Sequence, residues 1–301
     1  MTAQAAPLDG RDGLTARPVR RRFSWAWLGI GPFAIFSVLF LVIPTLYLIV
    51  GSLQDRSGAF TLANYSGLTD PTITDAYGNS IEISLVSAIG GGIFGFLLAY
   101  AVIDGGLPGF LRSALMTFSG VASNFAGVPL ALAFVFTLGR QGLLTLVLRD
   151  VFKIDMYSAG FSLYSKIGLE IVYMYFQFPL MVLVIAPAID GLKKEWREAS
   201  EVLGASPSQY WRRIALPILM PSLLGTVILL FGNSFGAQAT AYQLTSGLIR
   251  IVTIVISAQM RGDVLFNPNL GYALAMGMVV IMSASIAVYS LLQRRSERWL
   301  R

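Results

Sequence analysis

The chain contains no cysteine and no histidine among its 301 residues. Disulfides are therefore impossible, and metal sites built on thiolate or imidazole are excluded. Nucleophilic catalysis resting on a cysteine or a Ser–His pair is excluded for the same reason. Charge is scarce as well. Only 13% of the residues are Asp, Glu, Lys or Arg, against 55% hydrophobic. Soluble domains average about 25% charged residues, and a soluble surface for a chain this size needs more than this one has. Much of the surface must face lipid, where apolar side chains cost nothing and charges are expensive.

Six apolar runs reach the roughly 20 residues that a bilayer core requires of a helix. They cover about 27–50, 83–103, 113–138, 171–189, 214–236 and 270–292, and none contains Asp, Glu, Lys or Arg. Internal prolines (Pro44, Pro129, Pro179, Pro187) are compatible with membrane helices when neighbours satisfy the freed carbonyls. The expected organisation is a polar tail at 1–26, a six-helix membrane domain at 27–292 and a short tail at 293–301. The tail carries Arg11, Arg17, Arg20, Arg21 and Arg22 ahead of an apolar run too long for a cleavable signal. An even number of spans puts both termini on one side. Fifteen of the 22 Lys and Arg fall on that side, in the tails and in the loops after spans two and four. The positive-inside rule then predicts cytoplasmic termini. The net charge of +6 reads as membrane orientation rather than nucleic-acid binding, because the cations flank apolar segments.

Two segments on the opposite side are not plain loops. Residues 139–167 hold an amphipathic stretch from Leu143 to Phe152. Residues 237–269 hold an apolar run, Ile251 to Ile256, too short to span, which leaves interfacial, re-entrant and bundle-packed placements open. In span two, Gly90, Gly91, Gly92 and Gly95 allow a close helix crossing, within the chain or at a subunit interface.

The loop at about 191–216 is the informative one. Leu192, Trp196, Ala199 and Leu203 are spaced to form one helical face. Gly204 can end that helix with a positive φ. Ser206 can cap a second helix, with Pro207 in its first turn and Gln209 completing a capping box. A short amphipathic hairpin of this kind is marginal in water unless something covers its apolar face.

This stretch resembles the EAA loop of the membrane subunits of binding-protein-dependent ABC importers with the type I fold. The family pattern is Glu-Ala-Ala, three residues, Gly, nine residues, Ile-x-Leu-Pro. Glu198, Ala199, Gly204, Ile214, Leu216 and Pro217 stand at those spacings, and Ser200 replaces the second alanine. Two further stretches, Gly236 to Thr245 and Gly262 to Ala273, resemble the spermidine/putrescine-type branch, whose relatives are assigned to phosphonates, ferric iron and thiamine. The resemblance covers most of residues 80–300.

The resemblance implies an all-α polytopic fold of six transmembrane helices with both termini cytoplasmic, in a bacterial plasma membrane. It implies a permease subunit that forms half of the translocation pathway. Gly204, Ala205, Ser206, Pro207 and Ser208 would touch a separate ATPase, with Glu198 and Ala199 supporting the hairpin. The implied partners are an ABC ATPase dimer binding ATP and Mg, a second and different permease chain, and an extracytoplasmic solute-binding protein. No phosphate-binding loop of the Gly-x-x-x-x-Gly-Lys-Ser/Thr type occurs in the chain, so no ATP site or other cofactor is expected within it.

Polar residues inside spans are pathway candidates, since burying them in lipid costs free energy. These are Asn124, Gln177, Asn233 and Gln238, with helix–helix hydrogen bonding as the alternative role. Tyr173 and Tyr175 fit packing or an interfacial belt. Glu82 and Glu170 begin spans two and four as solvated ends or cation attractors. An ion-coupled secondary transporter or channel is the competing reading. Such proteins usually carry ionisable residues in the membrane, which these spans lack.

Overall fold

A computed structural model describes residues 26–105, 108–261 and 266–297. The expected N-terminal tail lies outside the described residues but for Ala26, and the expected C-terminal tail is described as far as Glu297. The chain divides into two units, Met1–Tyr47 and Leu48–Arg301. In the first, α1 (Ala26–Ser37) passes through a π-type turn at Val38–Val42 into α2 (Ile43–Ser52), which continues into the second unit. Phe33, Phe40 and Leu41 are exposed. Such a surface is unfavourable in water and natural in lipid.

Among its described residues the second unit is built of helices joined by turns and loops, with one isolated bridge between Gln54 and Phe60. It begins with the end of α2 and the short α3 (Ala63–Ser66). Asn64 and Asn269 both donate from their side chains to the carbonyl of Gln54, Asn64 also to that of Ser52 and Asn269 to that of Gly51. These bonds satisfy carbonyls that a helix end would otherwise leave open.

Its centre is α4 (Pro71–Ile103) packed along α8 (Lys166–Asp190). α4 starts a dozen residues before the apolar run at 83. Asp70 accepts a hydrogen bond from the Thr72 amide, Pro71 occupies the first helical position, and Ile73, Ala76 and Ser80 bury the extension. Gly90, Gly91 and Gly95 face α8 and explain the closeness of the crossing, while Gly92 faces α11 (Leu216–Gly236). A Cβ on Gly91 would lie 2.5 Å from the Cβ of Gln177, and one on Gly95 would lie 2.5 Å from the carbonyl oxygen of Phe178. The glycine face of span two is thus an intrachain crossing, and not a subunit interface.

The third apolar run is not one helix. α5 (Gly109–Ala122) and α6 (Gly127–Leu138) are separated by a break in which Gly127 takes φ +73°. α5 packs on the α8 half that ends at Asp190, where Arg112 pairs with Asp190 at 2.5 Å. α6 packs on the other half, with Leu130 and Ala131 against Leu169, Val172 and Tyr173. Together they traverse the length of α8, about 37 Å for 25 residues. Residues 127–150 also pass a length and composition test for a span. However, the chain turns at Gly139–Gly142, and α7 (Leu143–Asp150) ends on Arg149 and Asp150.

After α8 come α9 (Lys194–Val202) and α10 (Pro207–Tyr210). A π-type turn at Trp211–Ala215 then leads into α11 (Leu216–Gly236). α12 (Ala239–Thr245) and α13 (Val252–Arg261) follow, and α14 (Pro268–Glu297) closes the chain. α14 carries the last span beyond the expected limit of 292. The undecided apolar run at 251–256 opens α13. It is packed on the bundle, against α4 and α14, and the Val252 amide donates to Ser80 Oγ at 2.8 Å. Among the described residues six stretches, 127–150 included, are long and apolar enough to cross a membrane.

Candidate coupling elbow and translocation cleft

At the end of the bundle where α8 finishes, α9 and α10 form an elbow. The Leu203, Gly204 and Ala205 amides donate back to the carbonyls of Ala199, Glu201 and Ser200 at 3.1, 2.9 and 2.9 Å, and Gly204 sits at φ +77°. Left-handed backbone of this kind costs a non-glycine residue about 1–2 kcal/mol. Ser206 Oγ accepts from the Gln209 amide at 3.3 Å, and Gln209 Oε1 accepts from the Ser206 amide at 2.8 Å. Both halves of the capping box are therefore formed.

The inward face differs from the expected one. Leu192 and Trp196 are half-buried and Ser200 is buried, whereas Ala199 and Leu203 are exposed. The reason is that Leu203 is the C-cap, outside helical geometry, so the face runs at 192, 196 and 200 in steps of four. Ser200 thus occupies a place that admits only a small side chain, and its hydroxyl donates to the Arg197 carbonyl at 2.7 Å. Val202 and Leu203 are left 88% and 86% exposed at the tip.

Two contacts missed from the sequence join the elbow to α4. Arg197 reaches Asp104 at 3.6 Å, while its Nε bonds Glu201 at 3.3 Å. Trp211 packs edge-on against Tyr100, with ring centroids 4.6 Å apart. Among the described residues Arg197 makes the elbow's ion pairs, and Glu198 beside it makes no hydrogen bond or ion pair. Gly204, Ser206, Pro207 and Ser208 are exposed beside the apolar tip, and Ala205 is half-buried.

The second feature lies within the bundle, where two helix breaks meet. Thr240, at the start of α12, accepts from the Gly127 amide at 2.9 Å and donates to the Gly127 carbonyl at 3.3 Å. Tyr173 donates to the Ala237 carbonyl at 2.7 Å, a packing role. A cleft of about 440 Å³ opens here, lined by Ser123, Gly127, Phe176, Asn233, Gln238 and Thr240. An adjoining cleft of about 360 Å³ shares Gln238 and reaches Arg261. Among the described residues no Asp or Glu lines either.

The four pathway candidates part company here. Asn233 and Gln238 line the cleft. Asn124 is exposed at the α5–α6 break, and its side chain donates to the Gly120 carbonyl at 2.9 Å. Gln177 is fully buried. It donates to the Leu230 carbonyl and to Ser234 Oγ, both at 2.6 Å, and accepts from Asn233 at 3.3 Å. Ser234 in turn bonds Ser87 at 2.7 Å, which makes a polar clasp across α4, α8 and α11. Of the two acids at helix starts, Glu82 is paired with Lys166.

A family model described as "Binding-protein-dependent transport system inner membrane component" matches residues 13–301. The chain belongs to that family. It is a multi-pass membrane permease subunit of an ABC importer, a transport component. Among this family's proteins, the sulfate transport system permease protein CysT of Salmonella typhimurium is 29% identical over 214 residues, covering 69% of this chain and 71% of that one. The spermidine/putrescine transport system permease protein PotB of Haemophilus influenzae is 27% identical over 291 residues, covering 87% and 94%. The fold also matches a bacterial ABC transporter involved in the import of the acidic polysaccharide alginate, with a TM-score of 0.69 over 90% of this chain and 99% of that one, at 18% identity. Members named for sulfate transport were not among the expectations from sequence.

Proposed function

We propose that this permease forms one half of a translocation pathway for a small polar solute and takes its power stroke through the α9–α10 elbow. The observation that carries the reading is the elbow's tip. Val202 and Leu203 project almost fully exposed from a hairpin whose turn is fixed by Gly204 and a complete capping box. A rigid, water-facing apolar knob is unfavourable alone and fits a hydrophobic groove on a separate ATPase. On this reading ATP and Mg bind the ATPase, whose closure draws the elbow inward. Trp211 and the Arg197–Asp104 pair pass the movement to α4 as a rigid-body step. Gly204, Ala205, Ser206, Pro207 and Ser208 form the docking surface, and Glu198 and Ala199 flank it. Both termini and the elbow then share the cytoplasmic side, and the second permease and the solute-binding protein complete the importer.

For the solute we favour an oxyanion. The relatives named for sulfate transport support this, as does a cleft whose described lining carries amides and hydroxyls and opens toward Arg261. A polyamine is the second reading, supported by the likeness to PotB over most of the chain. The test is the assembled transporter in proteoliposomes. Gly204→Asp should insert normally, yet lose most solute uptake and solute-stimulated ATP hydrolysis. Wild-type coupling in that variant overturns the docking role. Uptake of labelled sulfate against labelled spermidine decides the solute class.

A further inference from the structure

The end of the bundle opposite the elbow holds a helix whose polarity is inverted. In α7, Leu143 and Val147 share one face, and Val151 extends it by a further turn. All three are exposed, Leu143 at 71% and Val151 at 69%. Thr145, on the other face, is buried, while Arg149 and Asp150 at the helix end keep their side chains 49% and 61% exposed. A helix on a water-facing surface hides its apolar stripe. The exposed stripe continues that of α6, where Val128, Leu132 and Phe136 are exposed at four-residue steps. Phe152 and Ile154, just after α7, extend it.

Behind the stripe is a polar pocket of about 390 Å³. Arg140 and Arg149 line it, with Gln141, Tyr157 and Asp155. The Arg140 guanidinium is held over the Tyr157 ring, 5.4 Å from its centroid, and Tyr157 is pinned by donating to the Leu138 carbonyl at 2.9 Å. Asp155 is already occupied, by Ser158 Oγ at 2.6 Å and by the Tyr157 and Ser158 amides. Asp150, outside the pocket lining, pairs with Arg149 at 2.8 Å. Among the described residues, Thr145 Oγ1 is one of three buried side-chain polar atoms without a hydrogen-bond partner, and its residue, 4% exposed, lines this pocket.

We propose that α7 lies in the lipid interface and that the pocket behind it binds the phosphate of a phospholipid headgroup. Two guanidinium groups and an unsatisfied hydroxyl suit phosphate oxygens. The apolar stripe on the same helix gives the acyl chains a surface one helix diameter away, which a free anion would leave unexplained. Anchored on both faces, α7 fixes the outer end of α6, and so one wall of the α5–α6 break that lines the cleft.

The absence of native cysteine permits a clean test. The assembled transporter is placed in nanodiscs of phosphatidylethanolamine and phosphatidylglycerol, with a single spin label at Leu143→Cys, Val151→Cys or Gln141→Cys. Labels at 143 and 151 should be relaxed by oxygen and shielded from a water-soluble nickel chelate, and the label at 141 should show the opposite. Phospholipid should also survive detergent purification of the wild type. It should be lost in Arg140→Gln/Arg149→Gln and reduced in the near-isosteric Thr145→Val, but retained in Arg140→Lys/Arg149→Lys. Nickel access at 143 and 151 overturns the proposal, and so does shielding from both reagents, which would mean a protein partner. Unchanged phospholipid in the Gln and Val variants overturns it too. If inorganic phosphate raises the melting temperature of lipid-depleted protein while no phospholipid is retained, the pocket is a site for a free anion instead.

Discussion

The glycine face of α4 gives the sharpest quantitative expectation. A methyl group built on Gly95 lies 2.5 Å from the Phe178 carbonyl oxygen and 2.6 Å from the Cβ of Met181. An unstrained carbon–oxygen contact is roughly 3.3 Å, so α4 and α8 must part by roughly 0.8 Å in Gly95→Ala. The obstacle is backbone, which no rotamer change removes. Overpacking of this kind costs about 1–3 kcal/mol. Gly92 is the internal control, because its methyl would meet Val227 Cγ2 at 3.5 Å, an ordinary contact. Both substitutions gain the same helix propensity, up to about 1 kcal/mol. The difference between them therefore isolates the clash. At roughly 2–4 °C per kcal/mol, Gly95→Ala should melt several degrees below Gly92→Ala when heated detergent samples are scored for their monodisperse fraction. Gly232→Ala should fall between them, since its methyl meets only the mobile end of Met282, Cε at 2.6 Å. Equal melting of the Gly95 and Gly92 variants would refute the close crossing.

Further expectations follow from the clasp, the elbow and the far loop. Gln177→Leu removes three hydrogen bonds to α11, each worth about 0.6 kcal/mol in a membrane bundle; it should lower the melting temperature by a few degrees, and an unchanged melt would show the clasp to be idle. Arg197→Ala breaks exposed ion pairs worth at most about 1 kcal/mol, so stability should hold while solute-stimulated ATP hydrolysis falls; intact coupling would remove Arg197 from the transmission path. Ser206→Ala loses one half of the capping box, about 1 kcal/mol locally, and should speed amide exchange at Gln209. Hydrogen bonds from Ser158 and then from the Tyr157 amide hold the Asp155 carboxyl below its ordinary pKa. Its contribution to loop order is therefore complete above the ordinary carboxylate range and lost as pH falls through the lowered value. Proteolysis of the 150–165 loop should rise at acid pH in wild type, and at higher pH in Ser158→Ala.

The parts legible in the sequence were those written in local chemistry. Apolar runs longer than a bilayer is thick can hardly be anything but spans, and Gly204, Ser206, Pro207 and Gln209 spell out a turn and a cap within six residues. What remained hidden depends on partners far along the chain. Ser87 and Ser234 bond across 147 residues, and Gly127 and Thr240 across 113, yet each looks unremarkable in its own helix. The break between α5 and α6 is hidden because the run from 113 to 138 carries no charge, membrane helices tolerate its Asn124, Gly127 and Pro129, and its interruption rests on Gly127 meeting Thr240. The error at Ser200 was one of phase. Spacing assigned Leu203 to the inner face, but the helix ends before reaching it, and the exposed leucine is what gives the elbow a tip to dock.

That tip offers the most direct measurement. With a single cysteine at Leu203 and a short bifunctional thiol–amine reagent, the assembled transporter should yield a cross-link from permease to ATPase, and a cysteine at Leu143, at the opposite end of the bundle, should not. A Leu203 cysteine that stays fully reactive to a water-soluble maleimide in an assembled, ATP-hydrolysing complex, and that cross-links to nothing, would contradict the coupling role of the elbow.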